Sequence, residues 1–546
     1  MPAAAHFPMR APALYPLSGI ISGLLLARHW PIEPMAPAIC AILFACAASA
    51  AAKRASRLWI LAFLIAALLG AWSYGSLRLT PIPQDKLLKL PTREAEFVLQ
   101  VERVVTQRGL YNQTSGLARI EEGLPMHRVA TGAPIYFRLN LSENSSFELI
   151  RGQKIRVKGL LTPLPPKVIE GSFERYLKDI GIHYRLERID HFQVTDAAPF
   201  FKRLCHRLNF RFQHYLSLGA PPESSLSGIY IAMLLGKKSA LSQEQKVNFR
   251  TTATMHLFAI SGLHISVVAA VIAQALLLIR IPKAVTPLIG LPLLYFYVEI
   301  TGAAPSAVRA FLMVTFFWSS IALSRQRAPL AAVVASAIFV LLVDPEQLWQ
   351  IGFQLSYLVV LSILLFALPL YQSLTKQYQA FKYLPKDDLG PWRRATAWAV
   401  DKTLLMFAVS FAAWLVSAPL GAGFFGYLSP YAVAVNLLLV NLAALTISTG
   451  VLALGAAVLS VPALAWFLNH AAWLTIDLME TMVVANLRLP LAVIECTNFP
   501  KTLSYLTVWL FVFLLLTANA TGRHKLAFWG GPIVISLGLA VGLLQS

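Results

Sequence analysis

Charged residues are scarce in this sequence. Only 13% of its 546 residues are Asp, Glu, Lys or Arg, whereas 57% are hydrophobic. A soluble domain carries about 25% charged residues, so the composition excludes an ordinary soluble protein and indicates a polytopic membrane protein. Acidic residues are the scarcer kind, because 26 Asp and Glu stand against 46 Lys and Arg, giving a net charge of +20. This excess has two explanations: basic cytoplasmic loops, and a binding site for a polyanion.

Cysteine is also rare, and its distribution excludes two kinds of structure. The four cysteines, Cys40, Cys46, Cys205 and Cys496, form no CxxC pair and no Cys/His cluster, so neither a disulfide framework nor a zinc site is predicted. No HxHxDH run occurs, and the run GKKS at 236–239 lacks the earlier glycine that a phosphate loop requires. We therefore predict no metal, no cofactor and no nuclease or ATPase activity in this chain.

Apolar runs of membrane-spanning length fall into two blocks separated by a polar segment. Runs at 14–27, 36–52 and 58–77 predict three N-terminal transmembrane helices, domain 1–77, without a cleavable signal. Domain 251–546 is predicted to hold about ten more, near 253–279, 285–302, 307–323, 329–343, 352–371, 403–424, 430–459, 462–485, 503–520 and 527–545. If each run crosses once, the Lys/Arg clusters share one side, which predicts a cytoplasmic location for them and an extracytoplasmic location for the polar segment.

The polar segment, 78–199, has the pattern of a small β-domain. Apolar and polar residues alternate in strand-like stretches at 95–105, 133–141, 153–161 and 181–194, with a weaker one near 109–120. A short helix is predicted at 172–180. Five short strands with one inserted helix predict an extracytoplasmic OB-like β-barrel.

Segment 200–250 is predicted to connect the barrel to the second block. Residues 200–216 form a basic amphipathic helix whose apolar positions include Phe201, Leu208 and Leu216. Such a helix lies most simply on the membrane surface, and packing on the barrel is the alternative. The run 226–236 is apolar but too short to span a bilayer, so we predict a re-entrant or interfacial segment.

Four segments place polar groups in apolar surroundings. Non-helical backbone survives at membrane depth only where it is buried in protein or lines a cavity, so we expect interrupted helices facing a polar path. The glycines and prolines that predict these interruptions are at 262, 302, 305, 345, 352, 419, 421 and 423. The segments are HLFAISGLHISVV (256–268, segment one), TGAAPSAVRAFLMV (301–314, segment two), DPEQLWQIGFQLSYLVV (344–360, segment three) and SAPLGAGFFGYLSPYAVAVNLLLVN (417–441, segment four).

Arg309 in segment two needs a partner at membrane depth, and Glu299 or Asp344 is expected to supply it. A plainer interpretation stays open for the serines and glycines, because a hydroxyl can bond its own helix carbonyls and small residues allow close helix packing. A metal site formed by His256 and His264 is not expected, since no third ligand lies near them in the sequence.

The run FRTTATMHLFAISGLHISVV (249–268) closely resembles the signature of the ComEC family, the inner-membrane channels of natural DNA transformation. Segments two to four follow in that family's order and resemble its patterns TG..PS..RA, DP..L...GFQLSY and P....F..LSP....N. The resemblance implies that single-stranded DNA crosses through a polar channel. The expected channel-lining residues are His256, Ser261, Gly262, His264, Ser306, Arg309, Gln354, Ser356 and Asn436.

The sequence departs from the family pattern in three places. Many members carry a C-terminal metallo-β-lactamase-like domain, which this chain is expected to lack. The pair Gly236-Lys237 stands where the family often has Gly-Asp, and Asn441 stands where proline is usual. The first departure removes any case for strand degradation by this polypeptide, and the other two concern local details of the channel.

We therefore predict a bacterial inner-membrane channel that translocates single-stranded DNA into the cytoplasm during natural transformation. Its expected partners are single-stranded DNA, the lipid bilayer, and a separate nuclease, extracytoplasmic DNA receptor and cytoplasmic motor ATPase. Alternative functions are a transporter or flippase of another anionic or lipid-linked substrate, and a non-catalytic membrane assembly protein. DNA is expected to contact Arg151, Lys154, Arg156, Lys158 and Tyr136, whereas Phe137 is expected in the barrel core.

Overall fold

Three helices open the chain in the computed structural model. They are α1 (Leu14–His29), α2 (Met35–Ala52) and α3 (Leu58–Arg78), as the three apolar runs predict. A Cβ atom at Gly23 of α1 would lie 2.2 Å from the carbonyl oxygen of Leu68 in α3, so the small residue allows the two helices to pack closely. The structure describes residues 14–52, 58–79, 92–106, 113–123, 131–140, 148–165, 172–220, 225–252, 254–322, 328–377 and 390–545, so the predicted cytoplasmic loop at 53–57 lies outside them.

The polar segment forms a closed five-stranded barrel, which confirms the predicted fold class. The strands are β1 (Arg93–Thr106), β2 (Gln113–Gly123), β3 (Pro134–Asn140), β4 (Lys154–Pro163) and β5 (Tyr184–Asp196). Their order around the barrel is β1-β2-β3-β5-β4. All neighbours are antiparallel except β3 and β5, which are parallel. A closed Greek-key barrel of five strands is the architecture of the OB fold.

The barrel interior follows from the period-two pattern of its strands. Ile155, Val157 and Leu161 of β4 are buried, whereas Arg156 and Lys158 between them are exposed. Alternate side chains of a strand point to opposite faces, so the apolar set fills the barrel. Phe137 is completely buried in this core, as predicted.

One short helix, α4 (Phe173–Asp179), lies in the connection between β4 and β5. It begins after Ser172, whose Oγ accepts a hydrogen bond from the backbone nitrogen of Arg175 at 3.2 Å. Leu177 of α4 is buried in a small core of its own with Leu164, Ile182 and Tyr136 of β3.

The basic amphipathic helix, α5 (Phe200–Leu216), has the predicted bounds but packs on protein. It contacts the helices at 226–235, 286–300 and 432–458. Its innermost residues are Cys205, Asn209 and Leu216, and the buried Asn209 donates a hydrogen bond to the carbonyl oxygen of Ile300 at 2.8 Å. Helix α5 is therefore a structural element of the helical domain rather than a helix that only lies on lipid.

The remaining helices form the second block. The helix at 226–235, predicted as re-entrant or interfacial, has six of its ten residues buried, and its place relative to the bilayer stays a prediction. The helices are α6 (Leu226–Leu235), α7 (Gln243–Thr251), α8 (Gly262–Leu278), α9 (Thr286–Ile300), α10 (Pro305–Ala322), α11 (Pro329–Val343), α12 (Ile351–Ser362), α13 (Leu368–Gln377), α14 (Pro391–Phe425), α15 (Ala432–Val458), α16 (Pro462–Leu487), α17 (Lys501–Thr521) and α18 (His524–Gln545).

Among the described residues, seven helices are long and apolar enough to cross a membrane, so the chain is a polytopic membrane protein. The one-turn π-helix Ile363–Ala367 joins α12 and α13 into a single such span. Two large apolar cores hold the second block together. One lies among α6, α8, α9, α15 and α16, and the other lies among α12, α14, α17 and α18.

Two predictions about interrupted helices have opposite outcomes. The break at Gly262 is confirmed, because Met255–Phe258 is a separate 3-10 turn and α8 begins only at Gly262. The predicted break at 419–423 is wrong, because Pro419 lies inside the continuous helix α14. Neighbouring helices at membrane depth compensate for the backbone bond that a proline removes, and Pro419 is buried among them.

Candidate functional site

Segment one ends in a capped helix start. Ser261 is the N-cap of α8, and His264 is its third residue. The Nδ1 atom of His264 lies 3.3 Å from the backbone nitrogen of Ser261 and 3.0 Å from its Oγ. Because Nδ1 accepts from the backbone N–H, the ring proton belongs on Nε2. His264 therefore replaces the Glu or Gln of an ordinary capping box.

His264 is completely buried in this conformation, so its place in the lining of a channel stays a prediction. Its Nε2 is buried and has no hydrogen-bond partner of ordinary geometry among the described residues. The side chain holds the start of α8 and positions Ser261. His256 and Gly262 differ from it, because both are exposed and a Cβ atom at Gly262 would meet nothing within 4 Å.

Segment two joins segment one through a hydroxyl. Ser306, the second residue of α10, donates a hydrogen bond from Oγ to the carbonyl oxygen of Ile260 at 2.6 Å. Ser306 therefore does not follow the plainer interpretation in which a serine bonds its own helix. Gly302, with φ of +87°, adopts the left-handed conformation that favours glycine and faces open space. The turn between α9 and α10 is thus exposed at Gly302, as the start of α8 is at Gly262.

Arg309 joins segment two to segment three. Its Nη2 donates to the carbonyl oxygen of Gly352 at 2.8 Å and to the Oγ of Ser356 at 3.1 Å. Its Nη1 donates to the Oε1 of Gln347 at 3.4 Å, and Gln347 donates to the Oδ2 of Asp344 at 3.0 Å. The cation is thus satisfied by neutral oxygens, and Asp344 acts on it only through an amide.

Two expectations for segments two and three need correction. Glu299 is not the partner of Arg309, and among the described residues no carboxylate pairs with it. Arg309 is also buried, so it holds two segments together rather than lining an open path. Ser356 follows the plainer interpretation in part, since its Oγ also donates to the carbonyl oxygen of Gly352 in its own helix at 2.8 Å. Gln354 is half-buried and donates to the carbonyl oxygen of Leu348 at 3.0 Å.

Segment four spans the end of α14 and the start of α15, and α15 brings it next to segment one. Trp414 of α14 donates to the carbonyl oxygen of Ser429 at 3.3 Å, and α15 packs on α8, the helix of segment one. Asn436 of α15 is half-buried, and its Oδ1 has no hydrogen-bond partner among the described residues. The structure therefore brings all four segments together, and His256, Gly262 and Gly302 within them are exposed.

The barrel is attached to the helical domain by one buried carboxylate. Glu299, near the end of α9, accepts from Arg151 of the barrel at 3.1 Å, from Lys202 of α5, and from the hydroxyl of Tyr295 at 2.9 Å. His206 of α5 adds an ion pair with Glu148 of the barrel at 3.2 Å. The sequence analysis expected Glu299 to pair with Arg309. Its partner is instead Arg151, one of the residues that were predicted to bind DNA.

The five predicted DNA contacts have different environments. Arg151 is paired with Glu299, Lys154 lies 3.3 Å from Glu121 and 4.0 Å from Asp196, and Lys158 lies 3.3 Å from Glu94. Arg156 is exposed and makes no ion pair in the described part of the chain. Surface pairs of this kind contribute about 0–1 kcal/mol, so Lys154 and Lys158 can exchange partners easily, whereas Arg151 belongs to the domain contact.

Tyr136 is not available to stack on a base in this conformation, because it is buried under α4 and packs edge-on against Phe173 at 5.1 Å. Among the described residues of the barrel, the exposed aromatic side chains are instead Phe173 and Tyr176, both on α4. Tyr176 is an aromatic residue that the sequence offered for stacking on bases, and Phe173 lies three residues before it, on the same face of the helix.

No group of three His, Cys, Asp or Glu side chains suited to a metal ion occurs among the residues that the structure describes.

Comparison with known proteins places the helical domain in a family. A family model described as competence protein matches residues 233–521, more than half of the chain. A stretch of 216 residues is 28% identical to ComE operon protein 3 of Bacillus subtilis (strain 168), and it covers 39% of this chain and 27% of that protein. No solved structure is similar at a significant level. The matched range contains all four segments, and the chain belongs to the competence protein family.

Proposed function

We propose that this protein takes part in DNA uptake, as a channel that passes single-stranded DNA across the inner membrane of a bacterium into the cytoplasm during natural transformation. The family model that matches the helical domain is described as competence protein, and the similar protein is named ComE operon protein 3. Its partners would be single-stranded DNA, the surrounding bilayer, and separate proteins that deliver, degrade or pull the strand.

The observation that carries this proposal is the meeting of the four polar segments at the barrel side of the helical domain. Ser306 bonds Ile260, Arg309 bonds Gly352 and Ser356, and α15 packs on α8. A strand with one negative charge per nucleotide needs a hydrated path through about 30 Å of hydrocarbon. Interrupted helices with polar ends supply such a path in membrane transport proteins.

In this proposal the named residues have two kinds of role. His256, Gly262 and Gly302 are exposed and meet the strand, while Ser261, Ser306, Gln354, Ser356 and Asn436 are half-buried behind them. His264 and Arg309 are buried and hold the segments in place.

The test measures DNA uptake before and after a cysteine placed at position 262 is labelled with a thiol reagent. Gly262→Cys would be introduced after Cys40 and Cys46, the two exposed cysteines, are replaced by Ala. A membrane-impermeant thiol reagent added outside should then stop entry of labelled donor DNA into the cytoplasm while surface binding of DNA persists. Gly455→Cys is the matched control, since Gly455 is equally exposed but lies on the outside of an apolar helix.

Two results would contradict the channel. A deletion strain of a competent host that takes up DNA normally would point to a transporter or flippase of another anionic or lipid-linked substrate. Normal uptake by the labelled Gly262→Cys protein, together with loss of uptake in the deletion strain, would favour a membrane assembly protein without a conduit.

A further inference from the structure

Helix α5 has protein on two sides and an exposed third side. Cys205 and Asn209 are buried against the helical domain, and His206 pairs with Glu148 of the barrel at 3.2 Å. The third side of the helix is exposed and carries Arg203, Arg207, Phe210, Arg211 and His214. Residues three and four apart share one side of a helix, so these five residues form a single stripe. We call this stripe the arginine face.

The three arginines of this face have no counter-charge in the described part of the chain, where none of them forms an ion pair. The carboxylates that contact α5 are Glu148 and Glu299, and they pair with His206 and Lys202 on its other sides. Like charges four residues apart destabilise a helix. An anion bound along the arginine face would remove this repulsion.

The end of α5 contacts the first turns of α16. The buried Asn469 of α16 donates hydrogen bonds from its side-chain amide to the carbonyl oxygens of Tyr215 and Leu218, at 2.9 Å and 3.3 Å. A Cβ atom at Gly219 would lie 2.4 Å from Nε1 of Trp466, so the chain that leaves α5 lies directly on this indole. The arginine face, which ends one residue before Tyr215, therefore ends beside the start of α16.

The start of α16 and the turn before it are apolar and exposed. The exposed fractions of Leu459, Trp466 and Phe467 are 77%, 50% and 63%. No Asp, Glu, Lys or Arg occurs between Lys402 and Asp477. An exposed apolar patch marks a contact with a membrane or a protein, and indole rings concentrate where lipid headgroups meet acyl chains. The arginine face thus adjoins a surface suited to acyl chains.

We propose that the arginine face of α5 and the apolar start of α16 form one binding site for an anionic phospholipid. The guanidinium groups of Arg203, Arg207 and Arg211 contact the headgroup phosphate, while Trp466 and Phe467 contact the acyl chains. An oligonucleotide would match the arginines but would leave the apolar half of the site uncovered. Since α5 also carries ion pairs to the barrel and to α9, a lipid bound here fixes the barrel relative to the membrane.

The experiment titrates the full chain, in micelles of a neutral detergent, with fluorescent phosphatidylglycerol and separately with fluorescent phosphatidylcholine. Wild type should bind phosphatidylglycerol more tightly. The variant R203Q/R207Q/R211Q should bind it roughly a hundredfold more weakly, from about fivefold for each basic residue beside anionic lipid, and should bind phosphatidylcholine as wild type does. Its melting temperature without lipid should be no lower than that of wild type, because the substitutions remove repulsion within α5.

Matched variants separate the two halves of the site. R203K/R207K/R211K keeps the charge and should retain the preference for phosphatidylglycerol. F467Q removes part of the apolar half and should weaken the binding of both lipids by the same factor. R280Q/K283Q/R523Q removes three exposed cations from other parts of the chain and should change neither affinity.

Three results would overturn the assignment. The first is equal affinity of wild type for the two lipids. The second is wild-type binding of phosphatidylglycerol by the folded glutamine variant of α5, or an equal loss in R280Q/K283Q/R523Q. The third is loss of binding to a thymidine oligonucleotide in the glutamine variant of α5 with phosphatidylglycerol binding unchanged, which would identify the arginine face as a nucleic-acid contact.

Discussion

The ion pairs of Glu299 with Arg151 and Lys202 predict how strongly the barrel and α5 are attached to α9. Glu299→Gln removes the charge that pairs with Arg151 and Lys202 but keeps the size of the side chain. Glu299 is only 5% exposed, whereas the side chains of Arg151 and Lys202 are 39% and 23% exposed. A buried charge-assisted hydrogen bond contributes about 1.5–3 kcal/mol, and solvent screening lowers this to about 1 kcal/mol for each partner here.

The substitution should therefore lower the free energy of local opening of α5 by about 2 kcal/mol, or about 30-fold in the opening equilibrium. Native-state hydrogen exchange of the amides of α5 measures this free energy directly. Arg151→Gln and Lys202→Gln should each give part of the loss, and either one combined with Glu299→Gln should cost less than the sum of the two single effects.

Glu495→Gln is the control, because Glu495 is exposed and makes no ion pair in the described residues. Unchanged protection of α5 in Glu299→Gln would refute the reasoning, and so would an equal loss in the control. A loss of protection confined to α10 would restore Arg309 as the partner of Glu299.

Three further predictions concern other parts of the molecule. His264→Leu should destabilise the start of α8 by about 1 kcal/mol through loss of its cap, whereas His264→Gln should retain most of the stability; thermal unfolding in detergent measures both, and equal losses would contradict a capping role. Arg309→Lys should reduce DNA uptake nearly as much as Arg309→Met, because an ammonium cannot reproduce the forked guanidinium that reaches Gly352 and Ser356. Wild-type uptake by Arg309→Lys at matched protein level would show that only the charge is needed. Burial, with the charges of Lys178 and Arg28, lowers the pKa of His183 below 6.5. The unfolded chain therefore binds more protons, and barrel stability should fall as the pH drops below 6.5 towards the folded-state pKa and then level off. His183→Gln should weaken this dependence in melting curves, and an unchanged dependence would rule His183 out as its source.

The elements that the sequence predicts well are those whose pattern is local. Helix α5 begins and ends where the amphipathic pattern at 200–216 does, and the alternation in the barrel strands predicts which residues of β4 are buried. The resemblance likewise brings the four segments together correctly, because the motifs record a shared arrangement. These features depend on periods of 3.6 and 2 residues or on short motifs, and both can be read along the chain.

The pairing of polar groups could not be predicted in this way. Glu299 lies ten residues before Arg309, yet its partners come from the barrel and α5, because the turn at Gly302 separates the two side chains. Because burying a histidine is costly, the sequence suggests that His264 faces a polar cavity. In the structure, Nδ1 of His264 instead accepts a hydrogen bond from the backbone nitrogen of Ser261, at the start of the same helix. Pro419 is a helix breaker in water and is tolerated within α14. In each case three-dimensional neighbours override the local expectation.

Helix α14 has 35 residues, which gives a length of about 52 Å at 1.5 Å per residue. This exceeds the hydrocarbon thickness of about 30 Å by about 20 Å. Trp392 and Trp398 are exposed on the first turns, at the end opposite segment four. A displacement imposed on that end by another protein would be carried along a single rod to Phe425 and the turn that follows it. Helix α14 therefore couples the exposed tryptophans at its start directly to segment four at its end, with no break in the helix between them.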